Sequence, residues 1–425
     1  MKFETPRGTR DFGPEEMARR NWVLSKIQSV YEKYGYSPLE TPAFERMNVL
    51  SAKSSGGEEV IKEIFKFKDK GDRLMGLRFD LTVPMARFIA KNPDLPKPFK
   101  RSQIGRVWRY EEPQAGRFRE FWQADVDVIG SSEPESEVDP LSAVISALKE
   151  LGFRDFEVKV NSRPLMEELA NSIGIKRKRS VELFRIVDKL EKQGEKAVIE
   201  ELKEKGFSKA EDFLDILKKE GKPEEILSEV SDRVKKEEAI SDLLNFFKTA
   251  KSFGIYNYLT LDLSLARGLD YYTGVVYEIK IKGMEKYGSV AGGGRYDNLI
   301  GMYGNEKQPA VGLSIGVERI LEIMKDKRMF PELNKIKALV IPVGEKAKSY
   351  SFELTEKLRE KGISSDVDLL NRGPSKLLNY ANSLSIPYCI LIGDNELEES
   401  KVTLKDMKSG EQEMISEEKL LKKLS

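Results

Sequence analysis

Arg106–Gly130 reads RVWRYEEPQAGRFREFWQADVDVIG, and its pattern decides the fold. Two runs rich in aromatic and β-branched residues, SQIGRVWRYEE and FREFWQADVDVIG, flank a loop carrying Pro113 and Gly116, which predicts an antiparallel hairpin. Side chains alternate along a strand. Arg109 and Glu111 are therefore expected on one face, with Trp108 and Tyr110 on the other. In the second strand Gln123, Asp125 and Asp127 share a face opposite Trp122, Ala124, Val126 and Val128. Taken singly, each polar residue fits a solvated outer face. As a set, with Arg117 and Arg119 in the loop, they bring a guanidinium, carboxylates and an amide onto one surface.

Working outward, Pro14 and the acidic pair Glu15 and Glu16 open a helix over 14–34, closed by Gly35. Val23, Ile27, Val30, Tyr31 and Tyr34 form its apolar stripe. LMGLRFD reads as a strand running into RFDLT, whose Asp80 and Thr82 then share a strand face. A helix is expected over 141–150. From about 170 to 252 the chain is rich in Lys and Glu with helical periodicity and no strand signal, which predicts a helical insertion. Strand character returns in IYNYLTLDLSLARGLDYYTGVVYEIKIK. The glycine run AGGGRYDNL reads as a flexible turn, and GLSIGVERILEIMKDK as a helix. Beyond Pro331 short strands (ALVIPVG, SSDVDL, PYCILIG) alternate with helices, as in a small α/β domain. The tail past 400 is too charged to assign. The expected division is a core of residues 1–330 and a second domain of residues 331–425.

Composition narrows the chemistry mostly by exclusion. The 425 residues carry 72 Lys and Arg against 71 Asp and Glu, so net charge points to no partner. No run is long and apolar enough to span a bilayer, and the start lacks an apolar leader. The single Cys389 precludes an internal disulfide and suits a reducing, cytoplasmic setting. There is no histidine, which excludes Ser-His-Asp and Cys-His catalysis and any His-ligated metal. No protein metal site is expected. Neither GxxxxGK nor GxGxxG occurs, so a nucleotide would meet arginine side chains, whose planar fork matches phosphate. Arg109, Arg267 and Arg319 are the candidates. In LARGLDYYTG an Arg, an Asp and two tyrosines lie within ten residues, although Tyr271 and Tyr272 would equally suit a core.

Together these segments resemble class II aminoacyl-tRNA synthetases in their histidyl form, the archaeal and eukaryotic version more than the bacterial one. The hairpin resembles motif 2, GLSIGVERI motif 3, GYSPLETPAFE with Pro42 the dimer-forming motif 1, and RGLDYYTG the histidyl signature. The resemblance implies an α+β fold: an antiparallel sheet flanked by helices, the helical insertion, and a C-terminal anticodon-binding domain. It implies a homodimer that joins L-histidine to its tRNA through histidyl-adenylate, with ATP and Mg²⁺ as the substrate complex. Arg109 and Arg267 would act on the α-phosphate and the histidine carboxylate. Arg117 and Arg319 would hold the rest of ATP, with Glu111 near adenine. Asp80, Thr82 and Gln123 would hold the α-amino group, with Leu81 also among the histidine-binding residues. Asp127 and Tyr272 would bond the ring nitrogens, with Tyr271 and Tyr296 lining that pocket. A non-catalytic synthetase-like subunit that senses histidine or tRNA is the alternative. Such a paralogue typically lacks the C-terminal domain, and its ATP-binding arginines are eroded.

Overall fold

The structure is a computed structural model that describes residues 3–52, 61–112, 118–266, 272–304, 306–333 and 336–424. The chain divides into two compact units, Met1–Phe330 and Pro331–Ser425.

In the first unit the strands are β1 (Ser37–Pro38), β2 (Phe44–Arg46), β3 (Lys66–Lys68), β4 (Leu74–Leu77), β5 (Phe99–Trp108), β6 (Glu120–Ile129), β7 (Phe156–Ser162), β8 (Leu259–Leu261), β9 (Val275–Ile281), β10 (Ala291–Arg295) and β11 (Ala310–Gly316). Among the described residues, eight of them form one sheet in the order β1-β5-β6-β11-β10-β9-β7-β8. The outer pairs β1–β5 and β7–β8 are parallel and the rest antiparallel. The expected hairpin is β5–β6, in register from Phe99 opposite Ile129 to Trp108 opposite Glu120. Its loop tip, 113–117, lies outside the described residues.

Alternation sorts the sheet into two unlike faces. Ala124, Val126 and Val128 lie beside Ile315, Leu313 and Val311, and that row continues through Tyr277 and Ile279 to Val160 and Val158. The helices Pro14–Lys33 and Pro134–Glu150 pack their stripes into the same core, including Val23, Ile27, Val30, Leu141, Val144 and Leu148. Each such side chain contributes roughly 1.5–3 kcal/mol by leaving water. The opposite face carries Arg101, Gln103, Gly105, Gln123, Asp125, Asp127, Gly312, Ser314, Gly316, Gly292, Gly294 and Glu278. Arg101, Gln103, Asp125 and Asp127 are buried on this face, while Gln123, Gly292, Ser314 and Gly316 border open space.

Several local expectations are corrected. RFDLT is not a strand: β4 stops at Leu77, and Asp80 Oδ1 accepts the Val83 amide at 2.9 Å, capping the helix Thr82–Lys91. The glycine run is strand β10, not a turn. A Cβ on Gly293 would stand 2.0 Å from the Gly312 carbonyl oxygen, so glycine lets two strands close up. GLSIG is strand β11, and the helix begins only at Val317. Val311, Leu313 and Ile315 repeat every second residue, a strand period that the helical stripe beyond had absorbed. The helix at 141–150 starts earlier, at Pro134, and contains Pro140. Proline in a helix interior costs about 3 kcal/mol, offset here by buried Val138, Leu141 and Val144.

The helical segment begins at Arg163 rather than near 170 and runs to Ser252. It shares the core of the first unit, since Leu183, Phe184, Phe213 and Phe246 belong to the same buried cluster as the sheet. A small antiparallel sheet in the order β2-β4-β3 completes the unit.

In the second unit β12 (Ala338–Pro342), β13 (Ser365–Val367), β14 (Tyr388–Ile392), β15 (Val402–Asp406) and β16 (Gln412–Ile415) form a sheet in the order β13-β12-β14-β15-β16. The first three strands are parallel and the last two antiparallel. The unassigned tail is thus a hairpin and a helix, Glu417–Leu424. Val402, Leu404, Ile415, Leu420 and Leu424 are buried there, a sparse apolar signal among many charges. Cys389 is buried in β14, and burial pushes its thiol up to about 11. No helix among the described residues is long and apolar enough to cross a membrane.

Candidate active site

A cavity of about 420 Å³ opens on the polar face of the large sheet. It gathers Asp80, Thr82, Arg109, Glu111, Gln123, Tyr272 and Arg319, seven residues from five separate segments of the chain. Arg109 and Glu111 lie just past the end of β5, not on it, but pairing runs one step further: the Arg109 amide donates to the Arg119 carbonyl at 3.0 Å. Arg109 is held by its Nε bond to the Phe79 carbonyl (3.0 Å). Its guanidinium lies over the Phe121 ring (5.2 Å) and 3.8 Å from Glu111. Arg319, in the first turn of the helix after β11, donates to the Ser289 carbonyl. The cavity therefore has cations anchored from two sides by backbone oxygens.

The floor is β6 beside β11. Gln123 Nε2 donates to Ser314 Oγ at 2.7 Å, while its buried Oε1 has no hydrogen-bond partner among the described residues. Further along the same face, Asp127 does not line the cavity. Its Oδ1 accepts the Tyr296 hydroxyl, and its Oδ2 sits 2.7 Å from Arg101 Nη2. Burial pushes both the Asp127 and Asp125 carboxyls up, Asp125 to about 7, and Arg101 pulls both back. Tyr296 is buried beside Asp127. The Leu81 side chain lies wholly in the core, and its carbonyl faces Arg101 Nη2 at 3.4 Å. Arg117, Arg267 and Tyr271 lie outside the described residues.

Sequence reasoning missed Arg101, Ser314, Phe121, Glu278 and Glu318. Arg101 and Ser314 had a legible signal, since each occupies the polar phase of an alternating strand. Glu278 sits across from Gly292 on β9 and lines the cavity. Glu318 also reaches it, although its oxygens are engaged by Arg20 (2.7 Å) and the Trp122 amide (2.8 Å), and burial pushes its carboxyl up. Among the described residues no cluster of three His, Cys, Asp or Glu is poised to hold a metal ion.

Residues 8–320 match the family described as histidyl-tRNA synthetase, and residues 337–425 match the anticodon binding domain. A histidine–tRNA ligase from Thermococcus kodakarensis is 37% identical over 432 residues, covering 100% of this chain and 98% of that one. One from Clostridium tetani is 39% identical over 430 residues, covering 98% and 96%. The crystal structure of histidyl-tRNA synthetase from Nostoc sp. PCC 7120 superimposes with a TM-score of 0.88 at 29% identity, over 100% of this chain and 99% of that one. A polar sheet face with arginines at two sides of one cavity, two compact units and these full-length likenesses lead to one conclusion. The chain belongs to the histidyl-tRNA synthetase family.

Proposed function

We propose that this chain activates L-histidine with ATP and transfers it to its tRNA. The observation that carries this reading, beside the family, is the cavity itself. Two arginines meet there with Asp80, Thr82 and Gln123, so phosphate and α-amine ligands face one open sheet surface.

In the first step a histidine carboxylate oxygen attacks the α-phosphorus of ATP, and the bond to pyrophosphate breaks. Arg109 is assigned to the α-phosphate and carboxylate, where a fixed guanidinium draws two anions together and offsets the charge that develops between them. Arg267 shares that role by its motif alone. Arg319 and Arg117 take the remaining phosphates and Glu111 the adenine side. Mg²⁺ would come with the ATP phosphates, and Glu278, which lines the same cavity, would offer it an oxygen donor. Asp80, Thr82 and Gln123 receive the α-amino group, with Leu81 shaping the turn between the first two. Asp127 and Tyr272 accept and orient the ring, closed in by Tyr271 and Tyr296. In the second step the 3′-terminal ribose hydroxyl of the tRNA attacks the acyl carbon and AMP leaves.

The C-terminal unit, residues 331–425, reads the anticodon. The working form is a homodimer in the cytosol. The test is ATP–pyrophosphate exchange with each amino acid in turn. Histidine alone should drive it, and a chain that only senses histidine or tRNA would show none.

A further inference from the structure

Beneath the cavity lies a charge cluster that stability does not explain. Arg101 on β5 stands in register with Asp127 on β6 and is fully buried, as are both carboxylates to within 3%. Its Nη2 is 2.7 Å from Asp127 and 3.9 Å from Asp125. Its other contacts are weak: Gln103 Oε1 at 3.5 Å and the Leu81 carbonyl at 3.4 Å. Among the described residues, Arg101 Nε, Asp125 Oδ1 and Asp127 Oδ2 are buried with no hydrogen-bond partner, so Arg101 meets Asp127 as an ion pair. One cation thus serves two carboxylates in a dry place. Replacing such a group by apolar side chains is often neutral or stabilising, so it is poor structural cement.

The cluster instead constrains one side chain from three directions. Arg101 holds Asp127 Oδ2, the Tyr296 hydroxyl holds Oδ1, and Gly312 leaves room, since a Cβ there would stand 1.9 Å from Oδ1. We propose that Arg101 is a positioning residue for histidine recognition, keeping Asp127 ionised and its carboxylate fixed so that it accepts a hydrogen bond from an imidazole N–H. The proposal rests on the reading of Asp127 given above. Two carboxylates crowded together tend to share a proton, and a protonated Asp127 would offer a donor where the ring N–H needs an acceptor. Arg101 prevents that, and burial, which pushes both carboxyls up, is the force it opposes. The other groups facing the cluster are Asp80 from the turn before the helix Thr82–Lys91, Tyr296, Tyr31 from the first helix and Ser314 from β11.

The experiment is exchange kinetics on the full chain with Arg101→Met, Arg101→Lys, Asp127→Asn and the double variant Arg101→Met/Asp127→Asn. Arg101→Met should raise KM for histidine about 10- to 100-fold, the range for losing a bond to a charged group. KM for ATP should stay within about threefold. Arg101→Lys should recover part of the loss, because the cation returns without the fork. The double variant should be little worse than Asp127→Asn, since both act through one carboxylate. Equal losses for both substrates, or additive effects in the double variant, would overturn the proposal. If Asp127→Asn leaves histidine KM unchanged, the underlying reading of Asp127 fails first. If Asp127→Asn raises it and folded Arg101→Lys does not, the positioning role alone is wrong. Should Arg101→Met not fold, Asp125→Asn replaces it. Freeing Arg101 for Asp127 should lower or hold histidine KM above pH 7, and a rise there would count against the proposal.

Discussion

Arg109→Lys would keep a positive charge in the cavity while removing the planar fork that the Phe79 carbonyl and the Phe121 ring hold in place. Losing one preorganised charge-stabilising group typically costs on the order of 10²–10³ in rate, so histidine-dependent exchange should fall on that scale with an unchanged Tm. Near-normal exchange would take Arg109 out of the chemistry. A second residue-scale prediction concerns pH. Burial pushes the Asp125 carboxyl up to about 7 from the ordinary 3.8, so between those values the folded chain keeps a proton that the unfolded chain releases. The stabilising contribution is complete below about pH 4 and is lost as pH rises through 7. Asp127, Glu137 and Glu318 are pushed the same way by burial, and no histidine titrates against them. Thermal melts of Asp125→Asn should fall less between pH 4 and 7.5 than those of the parent, and its Tm should be the higher at pH 8. Parallel curves would refute this. The residue types at these positions were legible in the sequence. Their pairing was not, because Arg101 and Asp127 lie 26 positions apart and meet only through strand register.

At the scale of elements, the sheet's polar face depends on glycines at crossing points. Gly312→Ala would drive a Cβ to 1.9 Å from Asp127 Oδ1 and 2.8 Å from the Val126 carbonyl. Overpacking of this kind costs typically 1–3 kcal/mol, so the expected result is a Tm lower by several degrees and a raised histidine KM with ATP KM little altered. If only Tm changed, the glycine would serve packing alone. The hairpin and the first helix were legible because each has an unmixed signal: period two over ten residues, or Pro, acid and stripe in order. β10 and β11 were not. Three glycines in a row carry no side-chain period, and the short alternation of Val311, Leu313 and Ile315 runs straight into the helical stripe that follows. The turn at Asp80 was missed for another reason. A carboxylate capping a helix looks, in sequence, the same as one facing out from a strand.

For the whole molecule, the division at Phe330 predicts separable activities. Each unit has its own buried clusters. A chain ending at Phe330 should therefore still exchange pyrophosphate with histidine, while charging of tRNA falls steeply. Wild-type charging by that truncation would contradict the anticodon role of residues 331–425. The sequence by itself determined the α+β class, the β5–β6 hairpin, the first helix and the kinds of side chain available for chemistry, because these follow from local periodicity and residue identity. Tertiary structure alone decided that seven dispersed residues share one cavity, that Asp127 lies behind its wall with Arg101 rather than in it, and that the helical segment joins the main core. Those outcomes depend on which strands pair and in what register. Register is settled by burying one apolar face of the sheet along its whole width, a balance no single stretch of sequence contains.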